Sequence, residues 1–199
     1  MAALAIAGGG CDKSGSSGAS SSQPAEPTIT WQRSDLIVNK TKHVLEYGRY
    51  DRPVPLKVVP LAQARRDTPL AAWTSWQSHM MQGKTDADLA PYFDHFTDGA
   101  EGLARIRESI RQKKATAEGF FKDASHVDDR PAVIGMVKYA GFTIVVYSNG
   151  GRGPWRGACM VLRGGKWTID ETSKLTDPVL QKLVGTNFEA FRQATSRPR

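Results

Sequence analysis

Apolar residues recur at steps of three and four between residues 67 and 114, and this spacing predicts three helices. The first begins at Asp67-Thr68-Pro69, because Asp and Thr cap helices and Pro is favoured in the first turn, and it ends at Gly83. A second, short helix follows the cap at residues 85–88, and a third runs from about 99 to 114. The predicted inward-facing residues are Leu70, Trp73, Trp76, Gln77 and Met80 in the first helix, Leu89, Tyr92, Phe93 and Phe96 in the second, and Leu103, Ile106 and Ile110 in the third.

After Gly119 the pattern becomes that of β-structure. Four β-rich runs, at 133–139, 142–148, 155–162 and 167–171, are separated by glycine-containing turns such as Ala140-Gly141 and Gly164-Gly165. Such short turns favour antiparallel hairpins. A last helix begins at Asp177-Pro178, so residues 67–199 are predicted to form an α+β domain with an extra C-terminal helix.

The stretch from 28 to 66 is interpreted as an extended arm packed on that domain. Pro53, Pro55 and Pro60 interrupt its apolar residues, and proline is excluded from helix interiors and from central strands. One edge strand is expected near residues 43–47.

The N-terminal residues 1–27 differ in composition from the rest of the chain. A short apolar run and three glycines precede Cys11, and almost only Ser, Gly, Ala and Pro follow it. No run approaches the roughly 18 apolar residues of a membrane-spanning helix, and the Ser/Gly stretch is typical of a flexible tether. This arrangement resembles a bacterial lipoprotein signal, with Gly9 and Gly10 as the small residues before the modified cysteine.

The lipoprotein resemblance implies a lipid on Cys11, attachment to a membrane and a position facing the periplasm. Asp12 resembles the signal for retention at the inner membrane. The alternative is a disordered cytoplasmic tail in which Cys11 is unmodified.

The order of elements over residues 69–171 resembles the NTF2-like (SnoaL-like) family. The resemblance rests on the helix with Trp73 and Trp76, the helix ending in Tyr92-Phe93, the basic helix after it, and a closing hairpin with Gly164-Gly165-Lys166-Trp167-Thr168-Ile169. It implies a curved antiparallel sheet wrapped over helices around a conical pocket. Folds of this kind host catalysis, ligand binding and dimerisation alike.

His79, Asp94 and His95 are the candidates for acid–base catalysis, with Asp98 nearby, because the resemblance implies Asp/His pairs in the pocket and an imidazole beside a carboxylate is a suitable base near neutral pH. Adjacent residues on a helix, however, point about 100° apart, so Asp94 and His95 are not expected to face one pocket. His79 is expected on the rim of its helix.

Other chemistry is not indicated. His126, Asp128 and Asp129 match no metal-ligand spacing, so no metal is expected there. Glycines 150–153 lead into a strand and not into a helix, which argues against a nucleotide cradle. Cys159 is interpreted as a small buried hydrophobic residue. No cofactor is expected.

The formal net charge is +7, and residues 1–27 contribute −1, so residues 28–199 carry +8. Part of this charge lies on one face of the third helix, at Arg107, Arg111 and Lys114. Nucleic acid is not the expected partner, because no aromatic residues are interleaved with these cations. Anionic head groups, an acidic protein or solvent could face them.

Three functions follow from the sequence. The first is a non-catalytic, lipid-anchored binding or accessory protein that takes a small apolar ligand or a protein partner, or dimerises through its sheet. The second is an NTF2-like dehydratase or isomerase that uses His79, Asp94 or His95. The third is an immunity or secretion-accessory protein that acts through the basic helix.

Overall fold

The computed structural model describes residues 27–125, 131–149 and 155–185 together with Phe188 and Phe191. The strands are β1 (Ile29–Val38), β2 (Thr41–Pro55), β3 (Pro131–Tyr139), β4 (Phe142–Asn149), β5 (Trp155–Arg163) and β6 (Lys166–Ile169). The helices are α1 (Pro69–Gln82), α2 (Asp86–Phe93), α3 (Gly99–Arg111), α4 (Ala117–Ser125), α5 (Glu171–Thr176) and α6 (Pro178–Gly185). The predicted α+β class is confirmed.

The six strands form one antiparallel sheet in the order of the sequence, from β1 to β6. Three of its hairpins close with two-residue turns in the left-handed region, at Asn39-Lys40, Ala140-Gly141 and Gly164-Gly165, as tight hairpins require. The register between β3 and β4 shifts between Val133 and Gly135. This irregularity is a bulge at Gly135, where a Cβ would lie 2.1 Å from the Gly48 carbonyl oxygen.

The predicted arm is instead a hairpin that belongs to the sheet. β2 pairs with β1 on one side and with β3 on the other, so the strand expected at an edge is internal. Pro53 and Pro55 are tolerated because they lie at the end of β2, where its pairing with β3 is irregular. Leu36, Leu45 and Tyr47 are buried and hold the hairpin on the core.

Helices cover both faces of the sheet. On one face α1 packs against β4 and β6, with Trp73 beside Val145, Tyr147 and Met160. On the other face α6, Phe188 and Phe191 pack against β1 to β5. The C-terminal helix was expected, and the structure shows that it closes a second core.

The ends of the helices follow the predicted capping. The Thr68 hydroxyl accepts a hydrogen bond from the Ala71 amide (3.1 Å) at the start of α1, and Thr85 and Asp88 form a capping box at α2. α4 is not predicted by the sequence pattern, because Gly119, which the pattern marks as the change to β-structure, lies inside this helix. Thr116 starts this helix by accepting hydrogen bonds from Gly119 and Phe120.

Candidate functional site

The two buried histidines contact each other directly. α1 carries His79, and the turn after α2 carries His95, so that His79 Nδ1 lies 2.8 Å from His95 Nε2. Their exposed fractions are 5% and 3%. The expectation that His79 lies on the rim of its helix is therefore wrong, and the contact joins α1 to the end of α2.

Burial keeps both imidazoles neutral. It lowers the pKa of His95 to about 3, with smaller contributions from His79 and Arg66, and it also lowers the pKa of His79. Asp88 and Asp94 oppose the shift at His79. A hydrogen bond between two neutral rings needs one nitrogen to donate and the other to accept, which suits a structural contact better than a general base at neutral pH.

The structure does not bring Asp94 to His95. Asp94 is exposed and His95 is buried, so the two do not face one pocket, as expected for adjacent residues, and the Asp94 backbone carbonyl accepts a hydrogen bond from Arg66 Nη1. The backbone carbonyl of His95 accepts from the Ile169 amide at 2.7 Å, which fastens the turn to β6. Asp98 is half-buried and precedes α3. These residues therefore do not form the Asp–His pair that the enzyme hypothesis requires.

No metal site is formed within the described ranges, where no three His, Cys, Asp or Glu side chains cluster. His126, Asp128 and Asp129 lie outside these ranges, as do Cys11, Asp12 and glycines 150–153. Cys159 is fully buried in the sheet, and burial raises the pKa of its thiol to about 12. Its predicted role as a core residue is confirmed.

The basic face of α3 is exposed but carries acids as well. Arg111 makes two hydrogen bonds to Glu108, at 2.7 and 2.8 Å, and Arg105 lies 3.7 Å from Glu101. Arg107 and Lys114 are exposed. The face is thus a mixed surface with a positive excess, in keeping with a solvated helix face.

Sequence reasoning missed an apolar surface on the sheet. On the face that carries α1, the half of the sheet nearest the three hairpin turns is only partly covered: among the described elements, α1 reaches it at β6, where Trp167 packs against the cluster that contains Trp73. We call this half the open sheet face. Its apolar residues are Trp31, Ile37, Val44, Leu162 and Trp167, and its charged residues are Arg33, Asp35, Lys42, Glu46 and Lys138.

Three aliphatic residues of the open sheet face are more than half exposed: Ile37 (62%), Val44 (58%) and Leu162 (53%). The open sheet face also contains a groove of about 640 Å³, and the lining of this groove includes Trp31, Val44, Thr143 and Trp167. These exposed apolar side chains make this surface the strongest candidate for a binding site among the described residues.

Ion pairs connect the charged side chains of the open sheet face. Glu46 lies between Arg33 (3.1 Å) and Lys138 (3.6 Å), and Lys42 pairs with Asp35 at 2.7 Å. The Lys138 Nζ atom also lies over the Trp31 ring, 4.0 Å from the ring centroid, in a cation–π contact. Trp31 lies flat on Gly48, where a Cβ would come within 2.8 Å of the indole. The signal in the sequence was the alternation of Trp31, Arg33, Asp35 and Ile37, which places apolar and charged side chains together on one side of β1.

Within the part of the chain that the structure describes, no helix is long and apolar enough to span a membrane. In comparisons with known proteins, no family model matches the chain, and neither a curated protein nor a solved structure matches it significantly.

Proposed function

We propose that this protein is a non-catalytic binding protein, held at the periplasmic side of a membrane by a lipid on Cys11, and that its open sheet face binds a protein. The NTF2-like character of the domain is part of the same proposal. The observation that carries the binding role is the set of exposed aliphatic residues Ile37, Val44 and Leu162, which lie on one face beside two tryptophans.

The composition of the open sheet face suits a protein partner. Protein interfaces combine exposed apolar and aromatic residues at their centre with charged residues at their rim. A sugar stacked on Trp31 fits less well, because Lys138 already occupies a position over that ring.

The partner that fits best is a second copy of the chain. Residues 28–199 carry +8, so two copies repel each other unless they meet at a nearly neutral patch. The open sheet face offers three cations and two acids within a small area. A twofold interface requires such a self-complementary mixture, because the same patch contributes both sides.

The enzyme hypothesis has less support. Of its candidate residues, Asp94 is exposed, whereas His79 and His95 are buried against each other. Neither histidine lines the groove on the open sheet face. The interaction through Arg107 and Arg111 also has less support, because Arg111 is already engaged by Glu108.

Sedimentation velocity of the full chain tests the proposal. Val44→Asp places a carboxylate within the open sheet face, and Val58→Asp makes the same change at a valine that is 48% exposed but lies elsewhere. We expect a dimer for the wild-type chain and for Val58→Asp, and a monomer for Val44→Asp. A monomeric wild-type chain, or a dimer that Val44→Asp leaves intact, would contradict this interface.

A further inference from the structure

A second cavity, of about 620 Å³, lies between the end of β2, the segment that follows it, and α1. Its apolar wall consists of Pro27, Pro53, Val54, Pro55, Val59, Leu70 and Trp73. It shares no lining residue with the groove of the open sheet face. Its volume is within the usual range for small-molecule sites, roughly 300–1,000 Å³.

The cavity is a consequence of the irregular pairing of β2. Arg49 pairs with Gly135 and Val54 with Val133, so five steps along β2 correspond to two along β3. The surplus residues of β2 do not pair with β3, and Arg52 and Pro53 line the cavity next to them. Proline lacks an amide hydrogen, so this part of the wall offers no backbone donor at residues 53 and 55.

The opposite wall is fixed by hydrogen bonds to α1. The Val59 amide donates to Ser78 Oγ (3.0 Å), and Gln82 Nε2 donates to the Val59 carbonyl (2.7 Å). Farther along the segment, the Arg65 amide donates to Ser75 Oγ at 2.8 Å. The site is therefore held open before a ligand arrives, which lowers the entropic cost of binding.

Among the described residues, the charged side chains that line the cavity are those of Arg52 and Lys57. The neighbouring acid, Asp51, already accepts hydrogen bonds from the Thr28 amide and hydroxyl and from the Arg52 amide. Lys57 is exposed and forms no ion pair with any residue in the described ranges. The mouth is thus positive and the interior is apolar.

The deepest wall residue also has an unused donor. Trp73 is 1% exposed, its ring packs 5.4 Å from that of Tyr147, and its Nε1 has no hydrogen-bond partner in the structure as described. Buried indole N–H groups usually have an acceptor.

We propose that this cavity binds an anionic amphiphile, an apolar chain or ring with one carboxylate, whose apolar part contacts Leu70 and Trp73 and whose carboxylate lies near Lys57. The wall supplies the apolar contact, and Lys57 selects the sign of the head group.

Calorimetric titration of the full chain with sodium dodecanoate, below its micellar concentration, tests this. Dodecyltrimethylammonium is the matched ligand with the opposite charge. Lys57→Glu reverses the charge at the mouth, and Lys166→Glu makes the same change at an exposed lysine of β6, outside the cavity. Thr74→Phe extends a ring from α1 into the cavity.

We expect saturable binding of one dodecanoate, and weaker binding of the ammonium amphiphile. Lys57→Glu should weaken dodecanoate binding about tenfold or more, as expected for a charge-assisted contact. Thr74→Phe should abolish it, and Lys166→Glu should leave it unchanged. Circular dichroism identifies any variant that fails to fold, and the comparison of the two amphiphiles on the wild-type chain does not depend on variants.

The proposal is overturned by the absence of saturable binding, by equal affinity for the two amphiphiles, or by equal effects of Lys57→Glu and Lys166→Glu. Because the cavity and the open sheet face share no lining residue, loss of dodecanoate binding leaves the proposed dimer untouched, and a monomeric chain leaves the cavity intact.

Discussion

Replacement of His95 by Gln is expected to make the stability of the domain less sensitive to acid. His95 is 3% exposed and its pKa is lowered to about 3, mainly by burial. In the unfolded chain a histidine has a pKa of about 6.5. Between these two values the unfolded chain binds a proton that the folded chain excludes, so the free energy of unfolding falls as the pH falls.

The size of this effect follows from linkage. Between the folded and unfolded pKa values, each pH unit lowers the free energy of unfolding by about 1.4 kcal/mol. Between pH 7 and pH 5, His95 therefore lowers the free energy of unfolding by about 2 kcal/mol. The contribution of neutral His95 to the free energy of unfolding is fully present above the unfolded pKa of about 6.5 and is lost as the pH falls toward 3. His79 contributes in the same direction, because burial lowers its pKa as well.

The charged groups around the pair do not cancel the effect. Arg66 lowers the pKa of both histidines. Asp88 and Asp94 act in the opposite direction on His79, but burial is the largest cause and the pKa of His79 remains lowered.

Urea denaturation at pH 7 and pH 5 measures the difference. The wild-type chain should lose about 2 kcal/mol more of its free energy of unfolding than His95→Gln over this interval. Equal losses in the wild-type chain and His95→Gln would refute the reasoning. If His95→Gln does not fold, the ring resonances of His95 in the wild-type chain provide the test: they should not titrate between pH 7 and pH 5.

Three further predictions concern the fold. Thr68→Ala removes the cap of α1 and should lower the free energy of unfolding by about 1 kcal/mol in urea denaturation; no change would mean that the cap is not formed. Gly48→Ala places a methyl group against Trp31 and Ile29, which should cost about 1–3 kcal/mol and shift the tryptophan fluorescence; an unchanged spectrum and stability would argue against the close approach. In a Cys11→Ser background, Cys159 should not react with a thiol reagent until urea unfolds the chain, and rapid reaction of the folded protein would contradict its burial.

Local signals in the sequence predicted most elements of the fold. Thr68, Gly83 and Thr85 mark helix ends through hydrogen bonds that neighbouring residues complete, and Ala140-Gly141 and Gly164-Gly165 mark turns through backbone geometry. Such features depend on short stretches of chain, so they can be read without knowledge of the tertiary structure. The prediction of an arm at Pro53 is wrong because β2 pairs with both β1 and β3. The prediction of β-structure from Gly119 is wrong because Thr116 caps a helix there.

The candidate sites depended on contacts that the sequence does not reveal. His79 and His95 are 16 residues apart, and only the packing of α1 against the turn after α2 brings their rings together. The open sheet face needs the register of β1, β2, β5 and β6, and the second cavity needs the shift between β2 and β3. Neither register follows from periodicity alone.

Site-specific photocrosslinking tests the central claim, that the open sheet face binds a second copy, on the full chain in cells. A benzophenone amino acid at Leu162 lies on that face, and one at Val58 is a comparably exposed control elsewhere. The proposed interface predicts a cross-linked product of twice the chain mass from position 162, with little from position 58. No such product from position 162, or equal yields from both positions, would contradict it.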